Sequence, residues 1–193
     1  MPRPDSLPIR RFPSERDWAA WLERNHGRSP GLWLQIAKKG AKVPSVSYPE
    51  ALDVALCYGW IDGQKRPQSD TFWLQKFGPR AKTGLWSRLN REKALALVAA
   101  GRMRPSGMAE IQRAKADGRW KGAYDSARTS TVPEDLEGAL KRNAKARRFF
   151  EALDRANRYA ILFRLQTAKK AETRARRLAG FLKMLEQGRK IHN

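Results

Sequence analysis

Residues 57–80, CYGWIDGQKRPQSDTFWLQKFGPR, decide how the chain folds. Within the length of one hairpin they hold Trp60 and Trp73, Asp62 and Asp70, and four basic side chains around the run from Pro67 to Asp70. Proline presets a turn dihedral, while serine and aspartate bond back to their own backbone. The run therefore predicts a turn joining strands near 60–66 and 71–77. Their apolar and polar alternation is imperfect. Upstream, SYPEALDVALCYG sets Ser47 three residues before Glu50 with Pro49 in the first turn, the spacing at which a hydroxyl and a carboxylate satisfy orphan helix amides. Leu52, Ala55 and Leu56 form the apolar stripe of that helix, and Gly59 ends it. Before it, GLWLQIAKKG at 31–40 is an apolar run bounded by glycines, with Leu32, Leu34 and Ile36 on one side, which predicts a central strand.

Residues 1–13 carry four prolines and several arginines and are expected to form an extended N-terminal arm. Ser14 opens a helix in which Trp18, Trp21 and Leu22 share a face. Past the hairpin, Ser87 starts a helix that closes before Gly101, and a shorter one spans about 106–117 up to Gly118. Small and polar residues at 122–131 predict a linker. Thr131 and Glu134 have capping-box spacing, and from there the chain is expected to form successive helices. Phe149, Leu153, Ala156, Ala160 and Phe163 make one stripe, and Leu178, Phe181, Leu182 and Leu185 another, as an antiparallel helical hairpin requires. The expected class is α+β: a small, mostly antiparallel sheet with packed helices over 14–121, followed by a helical C-terminal region at 132–193.

Forty Lys and Arg against nineteen Asp and Glu leave a net charge of +21, a field that concentrates polyanions and makes nucleic acid the default partner. An exposed helical surface kept soluble by arginine is the alternative. Cys57 is the only cysteine, so no intramolecular disulfide can form. The N-terminal residues lack a continuous apolar signal segment, and no run reaches the roughly 18 apolar residues of a membrane span. The chain is expected to be cytoplasmic.

No zinc site is expected, because Cys57, His26 and His192 are remote from one another. Nor does any stretch suggest a cofactor: in GPRAKTG at 78–84 no Lys-Ser/Thr pair follows the second glycine, as a phosphate loop requires. Cys57 reads as a buried thiol at a helix C-terminus, where the dipole raises its pKa. Asp62 is the one acid without an evident structural role, a surface ion pair being the alternative. Around it, Trp60, Lys65, Arg66, Trp73, Lys76, Arg80, Trp86 and Arg88 mix flat aromatic faces with cations. Such a set could hold single-stranded nucleic acid or a small anionic aromatic ligand, unless the tryptophans are core. From Lys141 onward four acids face sixteen Lys and Arg. Arg147, Arg148, Lys169, Lys170, Arg174, Arg176, Arg177 and Lys183 are the candidates for following a phosphate track.

Three segments, EALDVALCYGWIDGQKRPQSDTFWLQKFGPR at 50–80, LWSRLNREKALALVAAGRMRPSGMAEIQRAKADGRW at 85–120 and QTAKKAETRARRLAGFLKMLEQG at 166–188, resemble the YdeI/OmpD-associated, or bacteriocin-protection, family. The resemblance implies an N-terminal α+β part, a helical C-terminal part and a role in tolerance of bacteriocins or other stress. It carries over no catalytic residues. A net charge of +21 argues against direct capture of a cationic peptide. The expectation is thus a non-catalytic binder of an anionic partner, with two rivals: a small-molecule enzyme or sensor with a pocket around Trp60 and Asp62, and a stress-resistance factor acting through a protein partner.

Overall fold

A computed structural model describes residues 7–192. The described chain forms two compact units, one comprising the chain up to Leu85 with Asn90–Lys121, the other Trp86–Leu89 with the chain from Gly122. The class is α+β, with a mixed, mostly antiparallel sheet and helices making up the C-terminal part.

In the first unit, β1 (Ile9–Arg10), β2 (Leu32–Ala37), β3 (Trp60–Pro67) and β4 (Phe72–Pro79) form a sheet ordered β1-β2-β4-β3. Only β1 is parallel to its neighbour. The described part of the stretch expected as an arm is extended, but Ile9 and Arg10 pair with Trp33 and Leu34, and Leu7 and Phe12 are buried. The 67–70 turn is present, with Ser69 Oγ accepting from the amides of Thr71 and Phe72. A bulge between Asp62 and Lys65 explains the broken alternation. Gln75, buried in β4, bridges it by donating Nε2 to the carbonyls of Gly63 at 2.8 Å and Gln64 at 3.2 Å.

The core of this unit lies between the sheet and two helices, α1 (Glu15–Asn25) and α2 (Tyr48–Cys57). Ser14 caps α1 by accepting from the Asp17 amide, and the Glu50 carboxylate accepts from both the amide and hydroxyl of Ser47 at the start of α2. Trp18, wholly buried, stacks on Trp21 at 5.5 Å, meets Phe12, Trp60 and Phe77 within about 6 Å, and donates its indole N–H to Ala51 O. After α2, Gly59 takes φ +74°, open to glycine and costly to other residues, and turns the chain into β3. α3 (Arg88–Ala99) and α4 (Pro105–Ala116) follow, α4 approaching α2 so closely that a Cβ on Gly107 would strike Cys57 O and Met103 Sδ.

The second unit contains α5 (Glu134–Lys141), α6 (Ala144–Ala152), α7 (Arg155–Gln166) and α8 (Ala171–Glu186). Leu136, Leu140, Phe150, Ile161, Leu165 and Leu185 form its core. Thr131 and Glu134 do not make the expected capping box: Pro133 is the N-cap of α5, without a side-chain cap bond. Proline holds φ at −73° and steers the preceding Val132 away from helical geometry, so the helix starts two residues later. The expected Phe149 to Phe163 stripe is also interrupted, because Asp154 accepts from the Asn157 amide and begins a new helix. Phe150 is buried in place of Phe149. Residues 122–131 are tied into this unit. Tyr124 exchanges backbone hydrogen bonds with Trp86 and Arg88, and Asp125 receives the Gln166 amide at 2.6 Å.

Gly107→Ala is expected to lower unfolding free energy by about 1–3 kcal/mol through overpacking. Gly180→Ala, at an exposed α8 position with nothing within 4 Å of the new Cβ, is expected to raise it by about 0.5–1 kcal/mol. Urea denaturation of both variants measures the contrast.

Candidate functional site

The hairpin residues do not converge. Trp60, 1% exposed, gives its indole N–H to His26 O at 3.0 Å and lies edge-on to Trp18 and Trp21, so neither face is open to a ligand. Asp62 accepts from the Tyr48 hydroxyl at 2.8 Å, and the Tyr48 ring lies 6.0 Å from Trp73. Burial, reinforced by the Asp62 charge, raises the Tyr48 pKa, so the tyrosine keeps its proton and donates it in a hydrogen bond between elements. On the opposite sheet face, Arg66 lies 4.1 Å over the Trp33 ring, and Leu7 packs with Trp33 and Leu74. Trp33 is opposite Lys76 in the ladder. Lys65 is exposed. Arg80 is 8% exposed and donates to Leu85 O. Trp86 and Arg88 belong to the second unit, where Trp86 is buried and Arg88 pairs with Asp125 at 3.1 Å.

Cys57 is buried, and its thiol pKa is raised, chiefly by burial, despite the cations of Arg102 and Arg104. A thiol held protonated is a poor nucleophile. Among the described residues no three His, Cys, Asp or Glu side chains gather as metal ligands.

The basic residues of α6 and α8 divide into two groups. Arg174 grips Asp135 with Nε and Nη2 at 2.7 and 2.8 Å and donates Nη1 to Leu165 O at 2.7 Å. Arg177 donates Nη1 to Arg164 O. Both carbonyls lie in the last turn of α7, where helix acceptors lack intrahelical partners and the dipole favours a cation. These two arginines, expected along a phosphate track, are instead committed to the fold. Arg147 and Arg148 on α6, Lys169 and Lys170 before α8, and Arg176 and Lys183 on it are exposed, as is Lys145. None of these seven side chains has a partner among the described residues. Helices α6 and α8 pack together, with Asn143 Nδ2 donating to Glu186.

Sequence reasoning passed over the start of α7, where Arg155, Arg158, Tyr159 and Leu162 line a cavity of about 500 Å³. Their i, i+3, i+4, i+7 spacing puts them on one helix face and was the available signal.

A small sheet protein joined to a helical unit rich in unpaired surface cations is the class that this fold and surface define. The chain belongs to the family described as a domain of unknown function (DUF8412), whose model matches residues 10–110. Residues 129–188 match the family described as Bacteriocin-protection, YdeI or OmpD-Associated, so the resemblance seen in the sequence holds for the C-terminal unit, while the segment at 50–80 falls within the DUF8412 match. No curated protein and no solved structure matches the chain. No helix among the described residues is long and apolar enough to cross a membrane.

Arg174→Ala is expected to cost roughly 1–2 kcal/mol in chemical denaturation, by removing a charged partner from Asp135 and from the end of α7. Hydrogen bonds from Arg174 hold the Asp135 carboxyl below its usual 3.8. The sign follows from that direction: a depressed folded pKa adds stability that is fully present above the unfolded value and is lost as pH falls through the lower folded one. Asp135→Asn should therefore flatten this part of the acid dependence below about pH 4. A pH series of urea titrations on the single and double variants measures it.

Proposed function

We propose that this protein binds nucleic acid through its phosphate backbone, without catalysis and with little sequence preference, and acts in the cytoplasm. The observation that carries the reading is the exposed, unpartnered set Lys145, Arg147, Arg148, Lys169, Lys170, Arg176 and Lys183 on or beside two packed helices. Neutralising phosphates releases condensed counterions, and that release supplies affinity without reading bases. The overall charge of +21 adds long-range attraction and argues against holding a cationic bacteriocin directly. Any protective role of the kind named in the family description would then run through an anionic cellular partner.

Fluorescence anisotropy with a short labelled duplex and a single strand, across a salt series, tests this. Log affinity for the duplex is expected to fall linearly with log salt. Replacing Lys145, Arg147, Arg148, Arg176 and Lys183 by Gln should make the slope shallower, by about 0.9 for each phosphate no longer neutralised. Arg174→Gln should weaken the fold and leave the slope alone. No binding at low salt, or a slope indifferent to the five-residue variant, overturns the reading. Partner capture after nuclease treatment separates it from action through a protein.

A further inference from the structure

The cavity of about 500 Å³ at the start of α7 has a chemistry that the exposed helices lack. Arg128, Arg155 and Arg158 line it, with the Ser130 hydroxyl, and no carboxylate is among its lining residues. Tyr159, Leu153 and Leu162 supply an apolar wall. Its volume is in the range of small-molecule sites, which combine apolar lining with a few convergent polar groups.

Two of the guanidinium-bearing segments are held in place before any ligand arrives. Arg158 donates Nη2 to Glu151 O at 2.8 Å and Leu153 O at 3.3 Å, capping the end of α6, and lies 5.6 Å over the Phe150 ring. Its Nε is buried without a hydrogen-bond partner among the described residues. Arg128 sits on a loop closed by the Thr129 and Ser130 amides on Ser126 O, while its own amide donates to Ser126 Oγ. Arg155 is the first residue of α7. The carboxylate beside it, Asp154, is occupied by the amide and side chain of Asn157. Tyr159 is fixed by its hydroxyl donating to Asp125 O at 2.9 Å.

We infer that this cavity binds a small phosphate monoester with an apolar body, of about nucleotide size. A phosphomonoester brings a charge between about −1 and −2 and three strong acceptor oxygens, which suit guanidinium donors better than a single carboxylate does. The apolar wall takes the rest of the molecule. The site is distinct from the exposed cations of α6 and α8, so the two proposals fail independently.

Isothermal titration at constant ionic strength with inorganic phosphate, a nucleoside monophosphate and the parent nucleoside tests it. The monophosphate is expected to bind saturably and more tightly than either of the others. Arg128→Gln with Arg155→Gln, two exposed positions whose loss spares the α6 cap, should weaken that binding at least tenfold. Arg147→Gln with Arg148→Gln should leave it within about twofold. Chemical-shift changes on addition of the monophosphate should centre on 127–130 and 153–162. No saturable binding of any probe, equal losses in both double variants, or inorganic phosphate binding as tightly as the monophosphate overturns the assignment.

Discussion

A guanidinium leaves water cheaply only where oxygens take most of its N–H groups, and this requirement organises much of the described molecule. With forty cations and nineteen acids, carboxylates cannot meet it one to one. Backbone carbonyls make up part of the difference. Arg80 turns to Leu85 O, Arg119 adds Gly84 O to its pair with Asp117, and Arg164 bonds back to Ala160 O. Helix C-termini are the richest source, since their last carbonyls have no intrahelical donor. Arg158 therefore closes α6, while Arg174 and Arg177 close α7. Arginine suits this duty better than lysine because its planar fork donates in several directions at once and stays charged when partly buried.

The same requirement separates charge committed to the fold from charge left on the surface. In the ETRARR segment, three arginines within four residues look equivalent along the chain, yet Arg174 and Arg177 turn toward the end of α7 while Arg176 faces solvent. Helical spacing alone places Arg174 and Arg177 one turn apart, and it was that spacing that suggested a phosphate track. What it could not reveal was the neighbour on that side. A row of phosphates and the end of a helix present similar oxygens to a guanidinium, so the residue pattern for the two is alike.

Legibility elsewhere follows the range of the interaction concerned. Ser14, Ser47 with Glu50, the 67–70 turn, and the glycines at 59, 101 and 118 act over three or four residues, and all appear where the sequence sets them. Two local readings failed because a stronger local constraint stood beside them: Pro133 displaced the Thr131 cap, and Asp154 split the long stripe after Leu153. The hairpin was ambiguous for another reason. Tryptophan beside arginine reads the same whether the indole is covered or bare, and only the arrival of Trp18 and Trp21 from α1 decides for Trp60. The bulge that Gln75 bridges was visible only as poor alternation, since the donor and the carbonyls it serves lie on different strands.

Positive charge left over after this sorting carries a thermodynamic consequence. A net +21 repels itself more strongly in the compact state than in an expanded one, so the unpaired cations subtract from stability in the free protein. An anion that binds the folded chain alone relieves that repulsion and adds its own binding free energy to the fold. Salt acts on the two proposed sites unequally: exposed side chains on α6 and α8 lie in a screening solution, whereas Arg158 is partly shielded and already oriented by the carbonyls of Glu151 and Leu153. An ordered guanidinium has less rotamer freedom to lose when a ligand arrives, and a shielded one is less damped by counterions. Affinity at the cavity should thus depend more on ligand shape, and affinity at the helices more on phosphate number. On these two proposals, that difference in physical character is how one strongly basic chain would discriminate among anions.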